Sequence, residues 1–324
     1  MRAVFVESPN ADDPLAALRV GDFPDPAPEP GWVRVRMQAA SLNWHDIWTL
    51  RGLGAANGRP ERFPMILGCD GVGTLDDGTP VVIYPVVNAP GWMGDETLDP
   101  DRQTFSEYLQ GTMAEHTMVP ARNAVPLPAG LSIAAAAVLG ASWITAYRMI
   151  FTLSGLRAGQ TMLVQGASGG VAAALIQMGR AAGYRVWVTG RSAEKRALAE
   201  KLGAHETFAS NEPLPAPVDV VFDPVGKATW AHSLASTKIG GTIVVCGVPS
   251  GNHPELDIAR VFIDQITIRG VYAGTLAEFR DMLSFIAAAG IEPYVGATMP
   301  LAKAHEAFRL MTAGNTPAKI VPTI

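Results

Sequence analysis

At 324 residues the chain is too long for one ordinary domain and suits two. Apolar residues make up 48% and charged residues 17%, which excludes a disordered polypeptide. A net charge of −5, with no Lys/Arg cluster, argues against a nucleic-acid surface.

The opening segment, Met1–Asn10, alternates like a strand and lacks the apolar core of a signal peptide. To about Arg122 the chain is rich in Pro and Gly, with short alternating runs such as Trp32–Met37, the pattern of a compact β-domain with many turns. A helix is expected over Ile47–Arg51. The longest apolar stretch, Ile133–Phe151, is Ala-rich, contains Gly140 and Ser142 and carries Arg148, so it reads as a buried helix and not a membrane span. Two distant cysteines, Cys69 and Cys246, offer no disulfide framework and suit a reducing cytoplasm. Cys69 reads as a small buried hydrophobe in a Gly-rich turn, and Cys246, in the run Ile243–Cys246, as core.

From Leu131 helix and strand alternate. Strands are expected at Met162–Gln165, Arg185–Thr189, Val218–Phe222, Thr242–Cys246 and Ile266–Val271, in a mostly parallel, doubly wound sheet. Two amphipathic helices, Leu276–Ala289 and Leu301–Ala313, follow, and the chain closes on the strand-like Lys319–Pro322. The expected fold class is α/β: a β-rich domain of residues 1–122 and 275–324, into which a doubly wound parallel-sheet domain of residues 123–274 is inserted.

Between the first two of those strands lies the small-residue turn Gly166-Ala167-Ser168-Gly169-Gly170, followed by Val171 and an Ala-rich helix. Strand, glycine turn, helix and strand form the βαβ unit that binds a dinucleotide: a pyrophosphate must approach bare backbone N–H groups at a helix N-terminus, and a Cβ at the crowded positions would block it. The turn departs from G-x-G-x-x-G, because Ala167 and Ala172 hold the first and third glycine positions. Where NAD sites place an Asp or Glu on the ribose 2′-hydroxyl, this chain has Gly190, followed by Arg191, Ser192 and Lys195. Two cations and a hydroxyl suit a 2′-phosphate, so NADPH is expected over NADH. The alternative is that Arg191 and Lys195 are solvated charges opening the helix Ser192–Leu202, with Ser192 as N-cap; helix starts favour acids, so cations there need another reason. Asp223 and Val225, and Gly247 and Val248, follow later strands and lie at the carboxyl edge of the sheet, where ligands bind.

The segments Ala40–Asp46 and Pro64–Gly73, the GASGGV turn, Lys238–Gly241, His305–Phe308 and Pro317–Val321 together resemble the medium-chain dehydrogenase/reductases, within them the zinc-free, quinone-oxidoreductase-like branch. The resemblance spans essentially the whole chain. It implies a GroES-like catalytic domain beside a Rossmann domain, an active site between them, and two-electron reduction by NAD(P)H. It further implies catalytic roles for Asn43 (orienting a carbonyl), His45 (proton donor), Asp46 (orienting the site or the cofactor ribose) and Thr145, and places Asn315 near the cofactor. A homodimer, with Ile266–Val271 at its edge, is also implied. Each residue has a plainer reading: Asn43 ties a loop, Asp46 caps a helix, and His45 is a partly buried, backbone-bonded histidine. Ser210 stands where NADPH-binding relatives often carry a Tyr, which points to a modest preference.

Zinc relatives hold their catalytic metal with Cys, His and Cys; the matching positions here are Asn43, Cys69 and Ala141, leaving His45 and Asp46 as the other nearby donors. The segment Asn88–Phe105, matching the structural zinc lobe, has no cysteine. No metal is therefore expected. Without a Lewis acid an unactivated alcohol is hard to oxidise, whereas a quinone or α,β-unsaturated carbonyl accepts hydride readily. The expected function is zinc-independent, NADPH-dependent reduction of such a small molecule, with the loop Gly52–Arg62 beside the substrate. An alcohol or ketone dehydrogenase, or a non-catalytic dinucleotide-binding protein, are the alternatives.

Overall fold

A computed structural model describes residues 1–52, 62–314 and 318–324. They divide into two compact units: Met1–Ala141 with Thr275–Ala287 and Val295–Ile324, and Ser142–Gly274 with Ala288–Tyr294. The loop expected to border the substrate lies almost wholly outside the described residues.

The first unit is built on the strand Trp32–Ala40. Its alternation buries Val35 and Met37 and leaves Arg34 and Arg36 outside, the period-two pattern of a strand with one face on a core. It pairs antiparallel with Gly71–Leu75, with His116–Pro120 and with Lys319–Thr323. A Cβ at Gly73 would stand 2.3 Å from the Arg36 carbonyl oxygen, so only glycine lets these backbones approach so closely. Beneath the sheet pack Val35, Met37, Cys69, Val81, Ile83, Phe105 and Val119. A second cluster, around Leu42, Ile47, Leu50, Met65, Phe308 and Ile320, seats the short helix Trp44–Arg51. That helix begins three residues before its expected start, because Asn43 and Asp46 close its first turn. The closing strand Lys319–Thr323 lies parallel to Val295–Pro300, a strand the sequence pattern hides behind a glycine and a terminal proline.

Asn88–Phe105, puzzling as sequence, is tied by carboxylates. Asp99 is buried and accepts from Asn88 Nδ2 at 3.1 Å, Ala89 N–H at 2.9 Å and Asp101 N–H at 2.8 Å. Asp95 accepts from the backbone and hydroxyl of Thr97 at 2.8 and 2.7 Å. The segment's end, Phe105, is fully buried.

The second unit contains one six-stranded sheet, parallel throughout, in the order Glu206–Ala209, Arg185–Gly190, Thr161–Val164, Val218–Asp223, Thr237–Val245, Thr267–Gly270. Numbered along this unit that is 3-2-1-4-5-6, the Rossmann order, whose direction reverses beside Thr161–Val164. Glu206–Ala209 escapes sequence reading because ETFA is a polar, partly exposed edge. The tail Ala288–Tyr294 is held to this unit by Gln177, whose Nε2 donates to Glu292 O at 2.9 Å and whose Oε1 accepts from Tyr294 N–H at 3.1 Å.

Two expectations need correction. Ile133–Phe151 is not one regular helix: α-turns at Ile133–Ala136 and Ile144–Tyr147 alternate with π-turns at Leu139–Trp143 and Arg148–Leu153. The break coincides with Gly140, where a Cβ would meet Ile83 O at 2.6 Å. Cys246 is only partly buried, because its strand ends at Val245 and the thiol sits on the loop beyond. No helix among the described residues is long and apolar enough to cross a membrane.

Candidate functional site

In the second unit the glycine turn sits where the strand order reverses. Gly166 adopts φ +87°, a left-handed conformation that favours glycine. Gly169 is the N-cap of the helix Gly170–Ala181; no side chain caps that end, and a Cβ built on Gly169 meets nothing within 4 Å. Bare helix N–H groups beside open space are what a pyrophosphate requires, so the turn fits a dinucleotide. Ser168, Gly170 and Val171 are partly exposed around it, whereas Ala167 is buried. Behind the turn, Thr189 accepts from Gly166 N–H at 3.3 Å and donates to Gln165 Oε1 at 2.6 Å. Gln165 Nε2 in turn donates to Ser233 at 3.0 Å. This buried network fixes the turn; Gln165, Thr189 and Ser233 were not legible as site residues because they touch only other side chains and backbone.

At the next strand end Ser192 caps the helix Ala193–Leu202, accepting from Lys195 N–H at 3.4 Å. Arg191 is exposed and Lys195 partly buried. Partial desolvation, with the nearby Arg191 charge added, pulls the Lys195 ammonium below its usual range. Two mutually repelling cations on one strand end leave a local excess of positive charge that a phosphate would relieve.

Asp223 does not face outward. It is fully buried, and its carboxylate accepts from Val225 N–H and Gly226 N–H at 2.9 Å each and from the hydroxyls of Thr229 and Ser233 at 2.9 and 2.7 Å. It shapes the turn that presents Val225. Gly247 is partly buried and Val248 exposed, beyond the neighbouring strand. Thr145 lies partly exposed on the turn Ile144–Tyr147 of this same unit. Asn315 lies outside the described residues.

In the first unit the structure gathers a buried charge network. Asn43 Nδ2 donates to Asp70 Oδ1 and to Ser41 O, both at 3.1 Å, and its Oδ1 accepts from Lys319 Nζ at 2.6 Å. Asp70 also accepts from Ser41 Oγ at 2.7 Å and Ala141 N–H at 3.2 Å. Asp46 accepts from Asn43 N–H and Gly68 N–H at 2.8 Å each and from Ser106 Oγ at 3.1 Å. Asp46 and Asp70 are wholly buried and Lys319 is nearly so. Burial pushes both carboxyls up; the nearby His45, the donated hydrogen bonds and Lys319 hold Asp46 down, while Lys319 and the donated hydrogen bonds hold Asp70 down. Asn43 thus has both amide hydrogens engaged, and Asp46 serves the helix start; neither aims a free group outward. Burial first, with the nearby carboxylates added, pushes the Cys69 thiol well up, opposing the thiolate a metal needs.

His45 differs from its neighbours. Its Nε2 is buried without a hydrogen-bond partner and lies 3.9 Å from the Glu107 carboxylate. Glu107 has no sequence signature; only the fold brings it near.

A catalytic zinc does not fit here. Of its three expected positions, Asn43 is bonded to Lys319 and Asp70, Cys69 is a buried thiol in the core, and Ala141 offers only backbone. Among the described residues no group of three or more His, Cys, Asp or Glu could hold a metal ion.

Residues 29–129 match the family described as alcohol dehydrogenase GroES-like domain, and residues 170–288 that described as zinc-binding dehydrogenase. The chain is 26% identical to an acryloyl-coenzyme A reductase of Sulfurisphaera tokodaii, with 99% of each chain covered. It is likewise 26% identical to a quinone oxidoreductase of Lama guanicoe, over 96% of this chain and 94% of the relative. A solved structure of an NAD-dependent alcohol dehydrogenase is similar with a TM-score of 0.93 at 32% identity, covering 100% of both chains.

If Lys319 is the counter-charge of the network, Lys319→Met leaves two buried carboxyls without it and costs about 3 kcal/mol or more of stability. The carboxyls then rise further in the folded state. A raised folded pKa gives stability that is lost as pH increases, so the variant should melt lower at pH 8 than at pH 5.5, more steeply than the parent. Equal melting losses at the two pH values would show that Lys319 does not balance them.

Proposed function

The chain belongs to the medium-chain dehydrogenase/reductase superfamily and is an oxidoreductase of that fold; on that premise we propose that it is a zinc-independent, NADPH-dependent reductase of quinones or α,β-unsaturated carbonyls. The observation that carries this reading is the Lys319–Asn43–Asp70 network, which puts a fixed ammonium, a committed amide and a committed carboxyl where a metal would need free donors. Similarity to an acryloyl-coenzyme A reductase and a quinone oxidoreductase supports the acceptor class.

NADPH supplies a hydride when bound. The uncapped helix start at Gly169–Val171 would hold the pyrophosphate, and Arg191, Ser192 and Lys195 would hold the 2′-phosphate through charge-assisted hydrogen bonds. A conjugated acceptor takes hydride at its β-carbon and gathers charge on its oxygen, which a donor must stabilise. Asn43 positions the loop for this but has no hydrogen to spare. His45 Nε2 has an unused bonding position, 3.9 Å from the Glu107 carboxylate, and is the proposed proton donor. The free, unpaired cysteines suit a cytoplasmic enzyme.

The proposed oligomer is a homodimer through the open edge of the parallel sheet. Thr267–Gly270 is exposed along its length, and beside it Ile258, Phe262 and Ile263 are 68%, 67% and 64% exposed.

The test follows NADPH absorbance with a quinone, an enone and a saturated ketone. Oxidation with the quinone or enone alone is expected, slowed in His45→Ala. Turnover of the saturated ketone would favour an alcohol or ketone dehydrogenase, and cofactor binding without any turnover a non-catalytic protein. A sedimentation mass of two chains is expected; a mass of one would contradict the dimer.

A further inference from the structure

Two departures of this chain from the dinucleotide-binding pattern occur in one place. Ala167 stands where the turn ordinarily carries glycine, and Gly190 stands where the second strand ordinarily ends in an acid. The structure puts them against each other. A Cβ built on Gly190 would lie 2.8 Å from Ala167 Cβ and 2.9 Å from Arg196 Cγ, closer than carbon atoms pack. Both residues are buried. Gly190 is in strand conformation with no positive φ, so its backbone would accept any residue and only space forbids one. The Ala167 methyl is fixed directly to the turn backbone and cannot swing aside. Arg196 is held too, its Nη1 donating to Gly190 O at 2.9 Å.

We infer that Ala167 selects the phosphorylated cofactor indirectly, by taking the space that a side chain at position 190 would need. The acid that would bond a ribose 2′-hydroxyl is thereby kept off the strand end. Recognition is left to Arg191, Ser192 and Lys195 on the residues that follow. Cofactor choice becomes a property of the pair: a methyl on the turn with none on the strand, or the reverse. This rests on the dinucleotide reading proposed above, and deepens it by naming a residue that works through packing and not through contact with the phosphate. Ala167 is accordingly a positioning residue.

The test is a double-mutant cycle with two readouts, melting temperature and dissociation constants for NADPH and NADH by fluorescence titration. Gly190→Asp alone should lower the melting temperature and weaken both nucleotides, because the turn must shift. Adding Ala167→Gly should restore much of the melting temperature and move the NADH-to-NADPH affinity ratio by about tenfold or more towards NADH. A parallel cycle with Gly190→Ala, which adds only a methyl, keeps the steric part readable if the charged variants fail to fold. Full stability of Gly190→Asp alone, with the same NADH gain as the double variant, would overturn the inference. So would a double variant no more stable than the single one, which would put the obstacle on Arg196. Wild-type protein binding neither nucleotide would instead overturn the dinucleotide reading, while the Gly190→Ala melting cycle would still judge the packing.

Discussion

A buried ammonium has to be paired, and in this chain that requirement organises the first unit. Lys319, on the closing strand, reaches Asn43, 276 positions earlier, and Asn43 passes the contact to Asp70. Charges left unpaired in so dry a place cost several kcal/mol each, so the closing strand cannot slip in register without severe penalty. Beside it the Asp46 carboxylate seats the start of the helix Trp44–Arg51 and orients the loop at Gly68–Asp70. These bonds also consume the polar groups that chemistry might have used. Among the residues beside this network, His45 keeps a buried ring nitrogen with no hydrogen bond.

The second unit follows a different logic, in which space matters more than charge. Six parallel strands bring Gly166, Gly190 and the turn after Asp223 to one edge of one sheet. In the proposed reading backbone N–H groups at that edge bind the nucleotide, so the side chains behind them serve to hold the backbone. Asp223, Gln165 and Thr189 have that task, and each is satisfied internally. The proposed outward recognition falls to the exposed Arg191 and the half-exposed Lys195.

The sheet of the second unit was largely legible because its strands are apolar runs ended by glycine, and a period of that kind survives without knowledge of the fold. Helix Leu276–Ala289 was legible for a similar reason: its apolar residues recur on one face. The strands Glu206–Ala209 and Val295–Pro300 were not, being edges with half-exposed, mixed side chains. Polar site residues divide in the same way. The glycine turn declares its task locally, through spacing. Asn43, Asp46 and Asp223 have the right chemistry for catalysis or binding, yet their partners come from distant parts of the chain, and those partners turn them inward. Glu107 carries no local pattern, and Lys319 and Asp70 lie in segments that mark the family without announcing a role; tertiary structure makes all three matter.

The proposed metal-free reduction depends on the Lys319-centred network standing in place of a zinc site. The most direct measurement is the metal content of the purified protein, taken together with its rate of enone or quinone reduction before and after exhaustive chelation. Less than a stoichiometric trace of zinc, with an unchanged rate after chelation, is the expected result. One zinc per chain, with a rate lost on chelation and regained when zinc is returned, would contradict it.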